Sequence, residues 1–128
     1  MTDRRADDLA TQLLAHPTAT EARAWLMRAD GVVRTLGETD SPTDCLAFVD
    51  EWYDAGAVAV IATEIVAHEL EDLEGTRHFE NTGHLLVQLP KDPLRRKGVF
   101  QLHARVVARL GFDPTPDVGQ EYLYCPLD

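Results

Sequence analysis

The first stretch of the chain places apolar residues at the spacing of an amphipathic helix. Leu9, Leu13 and Leu14 recur at helical intervals over residues 6–15 and form one apolar stripe. Pro17 follows, and a proline disfavours helical conformation in the residue before it. The pattern predicts a short helix that ends before Pro17.

A second apolar pattern, over residues 22–29, is compatible with two structures. Its period of i, i+3, i+4 and i+7, behind the capping-box spacing of Thr18 and Glu21, predicts another helix. The Asp-Gly pair at 30–31 also suits a type I′ turn, so a β-hairpin over residues 23–38 is the alternative. The helix propensities of alanine, leucine and arginine favour the helix.

Later segments alternate between helix and strand patterns. Ser41 and Asp92 are good N-cap residues, and each is followed by a proline at the first helical position, so helices are predicted to begin at Pro42 and Pro93. Runs of β-branched or alternating apolar residues predict strands around these helices. The predicted strands cover residues 32–38, 57–65, 84–89 and 120–127.

The segment over residues 66–83 shows no regular pattern. Acidic residues greatly outnumber its one arginine, Arg77, and Gly75 and the Asn-Thr-Gly at 81–83 act as breakers. We predict a surface loop with one helical turn near His68.

From residue 32 onward the predicted order is strand, helix, strand, strand, helix, strand. This order predicts an α+β, ferredoxin-like βαββαβ fold, with both helices on one face of a four-stranded antiparallel sheet and the first and third strands at its centre. Residues 32–128 would form this domain, and residues 1–31 an N-terminal helical extension that packs on it. The extension, or a second copy of the chain in a homodimer, would cover the opposite sheet face, because apolar faces must be buried.

The amino-acid composition indicates which partners the charge favours and which compartment the protein occupies. The chain has 128 residues and a formal net charge of −10, which disfavours nucleic acid and membrane surfaces as partners and suits a basic protein partner. Ten arginines against two lysines suggest a bacterial source. A cytoplasmic location is expected because no secretory or membrane-spanning pattern occurs. Cys45 and Cys125 lie in apolar patterns and are predicted to be buried thiols.

Glu64, His68 and His84 are the candidate metal ligands, because imidazole and carboxylate groups together suit a divalent ion. Their spacing matches no H-E-x-x-H motif, and histidines scattered over an acidic segment are usually solvated. We therefore predict no cofactor.

The uncovered sheet face offers polar groups for a small ligand. Arg34, Gln88, Tyr122 and Tyr124 are the candidate ligand-binding residues on this face. His103 lies beside the apolar stripe of the second long helix, which favours a buried, hydrogen-bonded imidazole over a general base.

No catalytic constellation is evident. Ser41, the only serine, lies outside any G-x-S-x-G turn, and no glycine-rich nucleotide loop occurs. The basic run at 95–97 could dock an anion, but such short clusters are usually solvated or paired. The leading hypothesis is an interaction or regulatory protein that binds a protein partner. The alternative is a small-molecule-binding protein or enzyme that uses the sheet face, with a divalent metal near the acidic histidine-containing segment.

Overall fold

A computed structural model describes residues 4–128 and shows an α+β protein with two β-sheets. Residues 1–3 of the predicted N-terminal extension lie outside the described residues. A short 3-10 helix precedes four α-helices in the described part of the chain. The elements, in chain order, are the 3-10 helix Arg4–Asp7, α1 Asp8–Leu14, β1 Thr20–Glu21, α2 Ala22–Leu26, β2 Val33–Leu36, α3 Pro42–Ala55, β3 Ala59–Ala62, β4 Val66–Asp72, β5 Gly75–Thr82, β6 His84–Gln88, α4 Pro93–Arg109 and β7 Tyr122–Pro126.

The two long helices begin where their caps predict. The Ser41 hydroxyl accepts a hydrogen bond from the Asp44 N–H at 3.2 Å. The Asp92 carboxylate likewise accepts a hydrogen bond from the Arg95 N–H at 3.0 Å. Each cap satisfies a backbone donor that the first helical turn leaves without a partner. The predicted starts of α3 and α4 are therefore confirmed.

The short helix α2 begins differently from the prediction. Glu21, rather than Thr18, caps it, because the Glu21 carboxylate accepts from the backbone N–H groups of Arg23 and Ala24. The Thr18 hydroxyl instead accepts from the Ile65 N–H at 2.9 Å. The helix prediction is confirmed over a shorter length, and the alternative hairpin over residues 23–38 does not form.

The four-stranded sheet differs from the expected ferredoxin-like order. Its order is β1-β3-β6-β7, and every pairing in it is antiparallel. β3 and β6 are central neighbours, with Val60 opposite Val87. β7 pairs with β6, while β2, predicted at the centre beside β6, is absent from this sheet. β7 therefore takes the position beside β6 that was predicted for β2, and the short strand β1 forms the opposite edge beside β3.

β2 belongs to a second, three-stranded sheet of order β2-β5-β4. It runs parallel to β5, and β5 forms an antiparallel hairpin with β4. An ion pair of 2.7 Å between Arg34 and Glu80 and a hydrogen bond of 2.9 Å from Asn81 to Thr35 hold β2 against β5. The prediction of a loop over residues 66–83 is therefore wrong, and the strand partner of β2 lies within that segment.

Helices cover both faces of the four-stranded sheet. Residues of α2, α3 and α4, including the fully buried Trp25 and Trp52, pack with the face that carries Val60, Val87 and Leu123. α1 packs on the other face. The small cluster there contains Ala10, Leu13, Leu14, Ile61, Leu86, Tyr122 and Tyr124.

Candidate functional site

Glu64, His84 and Tyr124 form a chain of polar side chains on one face of the four-stranded sheet, which is called the main sheet below. This is the face that α1 partly covers. The Tyr124 hydroxyl lies 2.6 Å from Nδ1 of His84. Nε2 of the same imidazole lies 3.2 Å from a Glu64 carboxylate oxygen. Of these two contacts, only the one between Nδ1 and the Tyr124 hydroxyl has hydrogen-bond geometry, and the phenol O–H donates to Nδ1 when that nitrogen carries no proton.

The sheet register places these residues together. Tyr124 is opposite Leu86, and His84 lies two positions from Leu86 on the same strand, so the two rings are diagonal neighbours on one face. The rings stack with centroids 5.9 Å apart. Glu64 lies just after β3 and has a φ of +52°, the one positive φ of a non-glycine residue among residues 4–128. Backbone in this region is strained for glutamate.

Two buried threonines, Thr63 and Thr82, hold the backbone near Glu64 and His84 in place. The Thr82 hydroxyl donates to the Thr63 carbonyl at 2.5 Å and accepts from the His84 N–H at 3.0 Å. The Thr63 hydroxyl donates to the Leu13 carbonyl at 2.7 Å. Thr63 precedes Glu64, and Thr82 lies two residues before His84. These hydrogen bonds therefore connect the backbone near both side chains to each other and to α1.

The Glu64–His84–Tyr124 chain contains the three groups of a proton relay: a carboxylate, an imidazole and a phenol. Burial, followed by the negative charges of Glu64 and Asp128, raises the pKa of Tyr124, so the hydroxyl remains a donor at neutral pH. About a third of the His84 side chain is exposed, at 37%. Tyr124 also lines a cavity of about 780 Å³ between α4, β7 and the segment 112–120, and neither Glu64 nor His84 lines that cavity.

The structure brings together two of the three candidate metal ligands. Glu64 and His84 are in contact, whereas His68 lies in β4 of the second sheet and stacks on Phe79 with ring centroids 5.2 Å apart. Across residues 4–128, no group of three or more histidine, cysteine, aspartate and glutamate side chains is arranged to hold a metal ion.

The four candidate ligand-binding residues are also divided. Gln88, Tyr122 and Tyr124 share one face of the main sheet, and the Gln88 amide donates to Glu121 at 3.1 Å. Arg34 lies in the second sheet instead. Its side chain is buried and bonds to Asp30 and Glu80, so it is separate from the other three.

Three further sequence predictions describe buried or paired groups. His103 is buried, its Nε2 donates to the Tyr124 carbonyl at 2.7 Å, and burial lowers its pKa, which confirms the structural interpretation. Cys45 and Cys125 are buried free thiols, and burial raises the pKa of Cys125 to about 12. In the basic run, Arg96 is occupied by the Asp117 carboxylate at 2.7 Å.

The hairpin β4–β5 was not predicted from the sequence. All residues over 66–78 are exposed, on both faces of the hairpin. Apolar Val66 and Leu70 alternate with acidic Glu69 and Glu71 along β4, which is the period-two signal of a strand. Gly75, with a φ of +126°, follows a two-residue turn and marks the hairpin.

One face of the second sheet carries apolar side chains. The register aligns Val33 of β2, Phe79 of β5 and His68 of β4 in one row, with Val66 and Leu70 on the same face. Val66 is 63% exposed and Leu70 is 49% exposed. A cavity of about 470 Å³ lies on this face, where Val33, Val66 and Phe79 line it together with polar side chains such as Thr35 and Asn81.

The opposite side of β4 carries acidic side chains. Glu69 and Glu71 lie on that side, and Glu69 is 3.3 Å from His78. Asp72 lies on the same face as Leu70 and pairs there with Arg77 at 3.2 Å, while Glu74 adds negative charge at the turn. The hairpin therefore has one partly apolar face and one acidic face.

Comparison with protein-family models, with curated proteins and with solved structures found no match for this chain. None of the helices in the described part of the chain is both long and apolar enough to cross a membrane.

Proposed function

We propose that this chain is an interaction or regulatory protein that binds a basic protein partner through the hairpin β4–β5. The observation that carries the proposal is the exposure of the whole segment over residues 66–78. Two strands without a covered face are only marginally stable in water, so a partner that buries the apolar face would stabilise them.

Charge supports a basic partner. The net charge of the chain is −10, and the hairpin contributes four acidic residues over 66–78 against one arginine. A surface of this sign attracts basic proteins from a distance, accelerates their association and disfavours acidic competitors. The exposed Val66 and Leu70 beside these charges supply apolar area for a stable contact.

Affinity capture with the wild-type protein and two variants as baits tests the proposal. The hairpin variant carries Glu69→Gln, Glu71→Gln and Glu74→Gln. Its matched control carries Asp44→Asn, Glu51→Gln and Asp54→Asn on the exposed side of α3, so each variant removes three negative charges.

A basic protein should co-purify from cell extract with the wild-type and α3-variant baits and be lost from the hairpin variant. The same protein, once purified, should bind the wild type in calorimetry with at least about tenfold higher affinity than the hairpin variant. Equal retention by both variants, or no protein that distinguishes them, would contradict the proposal.

The Glu64–His84–Tyr124 chain favours a second candidate function. An imidazole that lies beside a carboxylate and is hydrogen-bonded to a phenol is suited to proton transfer, so a small-molecule-binding protein or enzyme would use this site. An NMR fragment screen tests it. Fragments that shift the His84 imidazole signals and lose binding in His84→Gln, but retain it in the exposed control His78→Gln, would support this function, and an absence of such fragments would contradict it.

A further inference from the structure

β4 is an edge strand of the second sheet in the described part of the chain, because the strand order is β2-β5-β4. All seven of its residues are exposed. An exposed edge presents unpaired N–H and C=O groups along its length and serves as a template for a further strand. Natural edges of this length are usually blunted or covered, so the edge of β4 is a candidate docking surface.

The hydrogen bonds and register of the second sheet determine which backbone groups of β4 point outward. The Thr82 carbonyl accepts from the Gly37 N–H at 2.9 Å, so the even-numbered residues of β5 face β2. The odd-numbered residues, Phe79 among them, therefore face β4, and their partners in β4 are the even-numbered residues such as His68. The odd-numbered residues of β4 are left facing away from β5.

These outward residues are Ala67, Glu69 and Glu71, and each directs one N–H and one C=O at the free edge. Their side chains lie on the acidic face of the hairpin, whereas Val66 and Leu70 lie on the apolar face. A strand added here would thus place alternate side chains beside the glutamates and beside the row that contains Val66, His68 and Leu70.

We propose that the edge of β4 binds an extended partner segment with alternating basic and apolar residues, added as an antiparallel strand. This inference rests on the proposed function and specifies its partner. Basic side chains of the segment would lie beside Glu69 and Glu71, and apolar side chains would extend the face that carries Val66 and Leu70. Main-chain hydrogen bonds to Ala67, Glu69 and Glu71 would set the register.

A second copy of this chain is the less suitable occupant. Antiparallel pairing of two β4 strands would bring their glutamates, Glu69 and Glu71, onto the same face of one joined sheet. Like charges on directly opposed positions destabilise a strand pair. A basic segment meets the same positions with favourable charge, which is why we assign the edge to a different molecule.

Synthetic peptides test the strand addition. The probe is capped Lys-Val-Lys-Val-Lys-Val-Lys, and its matched control is Lys-Lys-Val-Val-Val-Lys-Lys, which has the same composition and charge. In the antiparallel arrangement the lysine N–H groups face β4 and the valine N–H groups face solvent. N-methylation of the central lysines should therefore reduce affinity at least about tenfold, whereas N-methylation of the valines should leave it nearly unchanged.

A variant of the protein provides a second, independent measurement. Ala67→Pro removes one outward N–H without changing charge, and Ala67→Val keeps that N–H at the same position. Proline is tolerated on an edge strand when its nitrogen faces solvent. We expect Ala67→Pro to weaken the alternating peptide several-fold relative to Ala67→Val, with unchanged circular dichroism for both.

The outcomes separate this inference from the proposed function. Strand addition would be overturned if the alternating peptide, the control peptide and the lysine-methylated peptide bound with equal affinity. If the variant Glu69→Gln, Glu71→Gln, Glu74→Gln also weakened all three, the proposal of a basic partner at the hairpin would still stand. Dimerisation through β4 in sedimentation, abolished by Ala67→Pro, would overturn the choice of occupant. Failure of every basic peptide, together with unchanged retention in the paired baits, would overturn both.

Discussion

Arg34 holds Asp30 through two parallel hydrogen bonds, 2.8 Å from Nη1 and 2.7 Å from Nη2, in a fork that matches the carboxylate. Its Nε donates to Glu80 at 2.7 Å. This guanidinium therefore joins the segment before β2 to β5, and its hydrogen bonds lower the pKa of Asp30 to about 2. Arg34 is only 4% exposed, so its charge is neutralised inside the protein rather than offered to a ligand.

Replacing Arg34 should destabilise the second sheet. Arg34→Met leaves Glu80 partly buried beside the Trp25 indole without its cation, and we expect a loss of about 2–3 kcal/mol in the free energy of unfolding. Arg34→Lys keeps the charge but cannot form the fork, so its loss should be smaller, about 1 kcal/mol. Urea denaturation measures both. A loss below about 0.5 kcal/mol in Arg34→Met would show that the ion pair does not support the sheet.

His103 should make stability depend on pH. Burial lowers its pKa in the folded state, whereas the unfolded imidazole titrates near its ordinary value of about 6.5. The unfolded chain therefore binds the proton more readily, and the contribution of His103 to stability is complete above about pH 6.5 and is lost as the pH falls.

The test compares the wild type with His103→Gln, which has no titrating group at this position. Urea denaturation at pH 7, 6 and 5 should show a steeper fall for the wild type, with the difference approaching at most about 1.4 kcal/mol per pH unit. The other histidines contribute equally to both proteins. Parallel pH profiles would contradict the lowered pKa.

Leu13 should be the main contact of α1 with the sheet. It is 6% exposed and packs with Leu86, whereas Leu9 on the same helix is 48% exposed. Leu13→Ala should cost about 2–3 kcal/mol and increase binding of a hydrophobic dye, and Leu9→Ala should cost less than about 1 kcal/mol. Equal losses for both variants, measured by urea denaturation, would show that α1 does not cover this face.

Gly98 marks a close approach between α3 and α4. A Cβ added at this position would lie 2.8 Å from the Ala55 carbonyl oxygen, so the two helix backbones would have to separate. Helix propensity alone predicts that Gly98→Ala stabilises α4 by about 1 kcal/mol. We expect the opposite result, a loss of about 1–3 kcal/mol in urea denaturation, because the contact is overpacked. Lys97→Ala, on the exposed side, should be nearly neutral, and a more stable Gly98→Ala would show that the helices are farther apart.

The sequence predicted the elements whose signals are local. Ser41 and Asp92 cap α3 and α4 through side chains only three residues from their partners. The apolar run around Val60 and the alternation at Tyr122 and Tyr124 predicted β3 and β7. Caps and periodic burial depend on neighbours along the chain, so they are readable without coordinates.

The candidate sites were predicted less completely. Tyr124 and His84 were both identified as functional candidates, but for different sites, and their contact depends on the register between β6 and β7. Arg34 was assigned to the wrong sheet because its partner, Glu80, lies 46 residues away. The strand alternation of β4 was missed because both of its faces are solvent-exposed and its acidic residues resemble those of a loop.

By itself, the sequence determined where the long helices α3 and α4 begin, which residues are apolar, and the acidity of the whole chain, because these properties reside in single residues and their near neighbours. Only the tertiary structure decided that β2 pairs with β5 rather than with β6, that Glu64 meets His84, and that β4 remains an open edge. Strand pairing satisfies backbone groups that are the same in every residue, so its partners are selected by the packing of distant segments.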